Sequence, residues 1–320
     1  MIFLENFLNL FFKIFVVFFS VIIISSYISL FERKLLAYFQ NRHGPNEVGW
    51  HGILQVFADF IKVAFKENWT PRFSYKFAFN LAPVLGFIIP LLGFIFIPFD
   101  SNNFILSTNL DLLFFLVFSV LNVYSIVLAG WSSNNNYSLL GVIRSILIFI
   151  SYEVFIGLSL MGIIIQCSTF NILKIIEFQK RTWNVFPQFL SFVNFLIASI
   201  ASCHRHPFDL PEAEQEISDG YRIEYSGLKF SLFFIGEYIN ILLHSIMISI
   251  LFFGGWNGPF FSSFIFFILK TFIFIFCFIL IRASLPRPKY IQILKLGWII
   301  CLPLSLFNII LNMLAKLYFL

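Results

Sequence analysis

Charge is what this chain has least of. Charged residues fill 12% of its 320 positions, where a soluble chain carries about 25%. Cysteine is also scarce: Cys167, Cys203, Cys277 and Cys301 complete the set, and no two have CxxC spacing. No iron–sulfur, zinc or c-type haem site can be read from them, and they read as small apolar packing residues. There is no basic run with interleaved aromatics, so no nucleic-acid partner is expected. There is no internal repeat, which disfavours an inverted-repeat transporter. No A-x-A site follows the first apolar run, Ile14–Phe31, and Glu5 with a lone Lys13 makes a poor basic n-region. That run reads as a retained transmembrane helix, with no transit peptide expected ahead of it.

What the chain has in abundance is apolar. Hydrophobic residues make up 59%, phenylalanine occurs 48 times and mean hydropathy is +0.90. A water-soluble fold of this length cannot hide so much apolar surface. A soluble enzyme, a disordered chain and a secreted disulfide scaffold are therefore excluded. Crossing ~30 Å of hydrocarbon takes about 20 mainly apolar residues. Eight runs qualify, at 9–31, 77–98, 112–130, 139–166, 186–203, 228–253, 260–281 and 293–315. They predict an all-α polytopic membrane protein, a single membrane domain over 1–320, with both termini on one side.

Lys and Arg orient it. The loop between the first two spans holds seven of the 21 basic residues, the loop between the fifth and sixth three, and the loop between the last two, with its flanks, four. That face, here side A, is cytoplasmic in a bacterium or matrix in a mitochondrion. The first side-A loop carries Ile53, Leu54, Phe57, Ile61 and Ala64 at helical spacing, with Gln55, Asp59, Lys62 and Lys66 mostly off that face. This predicts an amphipathic helix over 52–66, lying at the interface or on a loop domain.

The few carboxylates are concentrated. Asp209, Glu212, Glu214, Glu216, Asp219 and Glu224 are six of the 16, all within side-A loop 204–227. Glu153 and Glu237 lie inside apolar spans, where a charge costs about 2.5–3.5 kcal/mol on insertion scales. Such groups should face the protein interior or a wet cavity, or stay protonated. Glu212 and Glu216 share a face if their segment is helical, and their repulsion raises the pKa of one or both. Asp209, Glu212, Glu224, Glu237 and Glu153 then form a proton relay entering from side A, or the loop acids pair with Arg205, Arg222 and Lys229. His204 and His206 flank Arg205 without a third ligand, so no metal site is expected. His244 either joins a proton path or is packed between helices. Lys270 either pairs with a carboxylate or marks a gate.

Four stretches read together. ERKLLAYFQNRHGPNEVGWHGILQVFADFIKVAFKE spans Glu32–Glu67 and GWSSNNNYSLLGVIRSILIFISYEV spans Gly130–Val154. HRHPFDLPEAEQEISDGYRIEYSGLKFSLFFIGEYINI spans His204–Ile241 and RASLPRPKYIQILKLGWIICLPLSL spans Arg282–Leu306. In order and spacing they resemble the NADH dehydrogenase subunit 1 family of respiratory complex I. The resemblance implies a membrane subunit where the membrane and peripheral arms meet, in contact with other complex I subunits and lipid. It implies ubiquinone as substrate, with FMN and iron–sulfur clusters in partner subunits and no redox centre in this chain. Glu32, Arg33, Asp59, Lys62, Arg205 and Phe234 match positions of the quinone tunnel. Arg144, Glu153, Asp209, Glu212, Glu214, Glu216, Glu224 and Glu237 match the acidic funnel that couples quinone reduction to proton translocation.

The chain departs from that pattern in places. Where the family has AETNRAPFDL, it has Ser202 for the Glu, His204 for the Asn and His206 for the Ala. One funnel carboxylate is missing, and His204 or His206 is a candidate substitute because histidine titrates near neutral pH. Ile148 replaces a Gln, and Tyr290-Ile291-Gln292 lacks an Asp. The AT-rich codons implied by so much phenylalanine point to an organellar genome and the mitochondrial inner membrane. The alternatives are the anchor of a related membrane-bound hydrogenase or formate-oxidising complex, a stand-alone transporter, and a purely structural anchor.

Overall fold

The structure, a computed structural model, describes residues 2–100, 104–209, 219–258 and 264–319. The described residues form helices, turns and no strand. A lipid-facing backbone must satisfy its own polar groups, so each apolar run coils into a helix. The elements are α1 (Ile2–Phe39), α2 (Gln55–Ala64), α3 (Lys76–Gly93), α4 (Asp111–Ser132), α5 (Asn136–Cys167) and α6 (Ile172–Phe178). There follow α7 (Phe189–Ser202), α8 (Gly227–Phe253), α9 (Phe264–Ser284), α10 (Tyr290–Lys295) and α11 (Leu302–Phe319). A π-helical stretch, Leu296–Cys301, joins α10 to α11.

Seven helices are long and apolar enough to cross a membrane: α1, α3, α4, α5, α8, α9 and the joined α10–α11. The fifth expected span, 186–203, is the exception. Its helix α7 has 14 residues and rises about 21 Å, short of the ~30 Å hydrocarbon core. Pro187 and the polar stretch before it delay the helix start. Short and irregular backbone is tolerated at depth when protein covers it, and α7 packs on α5, α8 and α11. The chain's capping is local: Asn135 and Asn171 accept backbone N–H groups at the starts of α5 and α6.

α8 is the axis of the bundle. Its apolar segment is nine-tenths buried, and α1, α2, α3, α6, α7 and α9 pack around it. A helix apolar on all sides belongs inside. Close approach needs small residues: a Cβ at Gly236 of α8 would lie 2.4 Å from the Gly86 carbonyl of α3. Lys270 of α9 fixes the C-terminal end of α8. Its ammonium donates to the carbonyls of Phe253, Gly255 and Asn257 at 2.6, 2.9 and 2.6 Å and lies 4.8 Å from the Trp183 ring centroid. Neither a carboxylate partner nor a gate is needed to account for this lysine; it satisfies carbonyls that a helix end leaves open. Outward-facing phenylalanines such as Phe11, Phe12, Phe15 and Phe19 of α1 are exposed and suit a lipid boundary.

The amphipathic segment is helical over Gln55–Ala64, shorter than 52–66 because a 3-10 turn at Trp50–Gly52 precedes it. Gly52 has φ +73°, and a Cβ there would lie 2.1 Å from the Pro45 carbonyl, so only glycine fits this turn. α2 leaves Phe57 and Ile61 exposed and turns Asp59 to Arg33 of α1, at 2.8 Å.

The close helix contact is testable. Gly236→Ala should force α8 from α3 and destabilise the bundle by roughly 1–3 kcal/mol. Gly157→Ala, where nothing lies within 4 Å of the added Cβ, should be neutral or better. The readout is the temperature at which the protein in its native membrane loses protease resistance.

Candidate functional site

A cleft of about 410 Å³ opens between α1, α2 and α8. Its apolar wall comes from Val56, Phe60 and Val63 of α2 and Phe230, Phe234 and Ile235 of α8. Its polar groups are Ser25, Ser26, Ser29 and Arg33 of α1, Asp59 and Lys62 of α2, and Ser231 and Tyr238 of α8. Asp59 also accepts from Gln55 at 2.8 Å, one turn away on the same face. Of the six residues singled out for the quinone tunnel, Arg33, Asp59, Lys62 and Phe234 line this one cleft.

The other two, Glu32 and Arg205, lie behind it. Arg205 stacks on Tyr238, 4.3 Å from the ring centroid, and Tyr238 lines the cleft. Glu32 Oε1 accepts from Arg205 Nη1 at 3.3 Å and is paired with Arg282 of α9. Arg205 Nη2 lies 3.9 Å from Glu237 Oε2. Glu237 is in turn ion-paired with Arg222, and the Tyr221 hydroxyl donates to Glu237 Oε1 at 3.3 Å. That hydroxyl accepts from Arg222 Nε and Nη2 at 3.2 and 3.1 Å. A chain of two carboxylates and three guanidinium groups thus runs from α9 through α1 and α8 to the turn Gly220–Arg222. Glu32, Arg205, Arg222 and Glu237 are all buried. A buried charge persists only when paired and hydrogen-bonded. Among the described residues, Arg205 and Arg222 of the acidic loop thus reach helix carboxylates, and Lys229 lies over the Phe79 ring at 5.0 Å.

The remaining acidic positions are dispersed. Asp209 pairs with Arg287 at 3.0 Å, near the surface. Glu224 accepts from Asn135 Nδ2 at 2.8 Å. Glu153 Oε1 accepts from Ser119 Oγ of α4 at 2.8 Å. Arg144, half-buried on α5, stands within electrostatic reach of Tyr290. Glu212, Glu214 and Glu216, and the helical pairing expected of 212 and 216, lie outside the described residues. Of the two loop histidines, His204 is buried against Phe149, centroids 5.8 Å apart. Burial, and then the Arg287 charge, hold His206 below the ordinary imidazole range.

Several participants were not singled out from sequence. Arg282 entered only the charge count, and Tyr221 and Tyr238 carried no motif of their own. Ser202 was noted only as a departure, yet its hydroxyl meets His244 Nε2 of α8 at 3.0 Å. Among the described residues no group of three or more His, Cys, Asp and Glu is placed to hold a metal ion.

Burial separates these pairs energetically. Removing one partner of a buried ion pair costs about 3–5 kcal/mol because the other charge is stranded. Arg222→Ala should therefore lower heat resistance in native membranes severely. Arg287→Ala breaks a partly exposed pair and should cost less than about 1 kcal/mol. Equal losses would contradict this ranking.

The charged and apolar features of this arrangement run through stretches from one end of the chain to the other, and so does the match to known proteins. A sequence profile described as NADH dehydrogenase matches residues 12–313. The chain therefore belongs to the NADH dehydrogenase family, that of subunit 1 of respiratory complex I, and is a multi-pass membrane subunit of that multi-subunit oxidoreductase.

Proposed function

We propose that the cleft between α1, α2 and α8 receives quinone, and that the buried ion-pair chain behind it couples quinone reduction to proton translocation. One observation carries this reading: Tyr238 lines the cleft and carries Arg205 over its ring. Charge appearing in the cleft is thereby felt by the Glu32–Arg205–Glu237–Arg222 chain. An isoprenoid tail needs apolar walls and a headgroup needs a few placed polar contacts. Phe230, Phe234 and Ile235 supply the first; Arg33, Asp59 and Lys62 supply the second.

The chemistry follows from charge balance. A quinone takes two electrons and two protons to become a quinol. In this reading the electrons come from an iron–sulfur cluster of a partner subunit, with FMN further upstream in partners. This chain's groups position the quinone and hold or move protons. A unit charge 4 Å from another, at an effective dielectric of 20, interacts by about 4 kcal/mol, enough to redistribute protons among nearby carboxylates. Glu153, half-buried on α5 and held by Ser119, continues the route. With side A as the matrix face, the protein belongs in the mitochondrial inner membrane and the quinone is ubiquinone.

Two measurements on the assembled complex test this. Arg33→Met and Lys62→Met should raise the apparent KM for a tailed quinone by about tenfold, the loss of one charged hydrogen bond of ~1.5 kcal/mol. NADH oxidation by a water-soluble artificial acceptor should not change. An unaltered KM in both would remove the cleft from the quinone path. Glu153→Gln keeps the Ser119 hydrogen bond and should leave assembly intact while cutting proton translocation at least about tenfold, the scale of a lost proton-transfer group. Full translocation in that variant would exclude Glu153 from the route.

A further inference from the structure

His244 is a buried base that the ion-pair chain does not use. It lies on α8, two turns beyond Glu237, and is 2% exposed. Its Nε2 is 3.0 Å from Ser202 Oγ of α7. The ring's tautomer sets the direction of that bond. The Ser202 hydroxyl also lies 2.9 Å from the Ser199 carbonyl, to which it can donate. When its proton lies there, the oxygen accepts from a hydrogen on His244 Nε2. The lone pair of the neutral ring is then on Nδ1, and Nδ1 is buried with no hydrogen-bond partner among the described residues. A ring held by one nitrogen and open at the other is oriented to take a proton at the open one.

The surroundings favour traffic rather than packing alone. The Phe115 ring of α4 lies edge-on to the imidazole, centroids 5.6 Å apart. Ser119, four residues on, is on the same face of α4 and holds Glu153. His244 and Glu153 thus address successive turns of one helix face, a rise of about 5.4 Å. On α8 itself, buried Asn240 lies between His244 and Glu237. Among the described residues, α7 carries no titratable side chain and α3 only Lys76 at its start; the buried Cys203 thiol, directly after Ser202, is in hydrogen-bond reach of it. On the other neighbours of α8, Glu32 of α1 pairs with Arg205 and Arg282, Asp59 of α2 with Arg33, and Lys270 of α9 bonds backbone carbonyls; α2 also carries Lys62, and α6 carries Lys174 and Glu177.

We propose that His244, pinned by Ser202, is a proton-carrying station between Glu237 and Glu153. A proton adds to Nδ1, giving an imidazolium, and leaves from Nδ1 when the neighbouring acid discharges; no other bond changes. The inference rests on the coupling role proposed above, and Glu153→Gln keeps the two separable.

The test uses the assembled complex in proteoliposomes, with NADH and a tailed quinone. His244→Gln keeps an amide donor for Ser202 but cannot be protonated. It should leave NADH oxidation by a water-soluble acceptor unchanged and lower proton translocation at least about tenfold, the scale of a lost proton-transfer group. Exchanging the pair, Ser202→Glu with His244→Ser, keeps a titratable group and similar volume at the same contact and should restore most of the translocation. Full translocation in His244→Gln, with Glu153→Gln impaired, would overturn the station and leave the coupling role standing. Full translocation in both would overturn both. Should His244→Gln fail to assemble, the exchange variant decides: translocation supports the station, and an assembled complex that does not translocate refutes it.

Discussion

Everything near the site depends on one requirement: charges inside a lipid-immersed bundle must meet counter-charges. Two carboxylates, Glu32 and Glu237, are buried together with Arg205 and Arg222. Moving any one of them from water without a partner costs several kcal/mol even after relaxation. The chain meets this cost by bringing Arg205, Arg222 and Arg282 to carboxylates on α1 and α8. The consequence is mechanical as well as electrostatic. The same contacts pin the turn Gly220–Arg222, the loop after α7 and the end of α9 against the helices that wall the cleft.

Such a chain is a poor stabiliser. Continuum and mutational arguments show that well-packed apolar residues often stabilise as well as a buried ion pair does. Retaining five charged groups in line suits the coupling role proposed above, because charge responds when a neighbouring charge changes. The low dielectric that makes the pairs costly also lengthens the reach of each interaction. Where the bundle needs only cohesion it uses neutral groups instead. Gln188 accepts from Asn308 and Asn312 at 3.2 and 2.9 Å, tying α7 to α11 with no titratable atom.

The helices were legible because lipid leaves apolar sequence one way to satisfy its backbone. The amphipathic segment was legible from its period. The short α7 was not, because Pro187 and the polar turns before it matter only once neighbours cover the gap. Pairing was the least legible level. Arg205 meets Glu32 across 173 residues and Arg282 meets Glu32 across 250; no local spacing encodes either. Reading Arg205, Arg222 and Lys229 against the nearby loop acids followed sequence proximity. Among the described residues, Arg205 and Arg222 also reach buried carboxylates on distant helices, Glu32 and Glu237. Arg33 and Asp59 were named from the same loop but brought together by the fold of α2 onto α1.

The Ser202–His244 contact extends that point to proton carriers. In a bundle, a polar position belongs to a point in space shared by several helices, and any of them can supply the group. A carboxylate on α7 and an imidazole on α8 reach the same contact from opposite sides. The hydrogen-bond geometry then decides what each can do. A serine whose proton goes to its own helix accepts from the facing imidazole, leaving the ring's other nitrogen, Nδ1, buried without a hydrogen-bond partner among the described residues. Sequence comparison at position 202 alone records a lost acid. The neighbouring helix shows a titratable group standing against that position, 42 residues further along the chain.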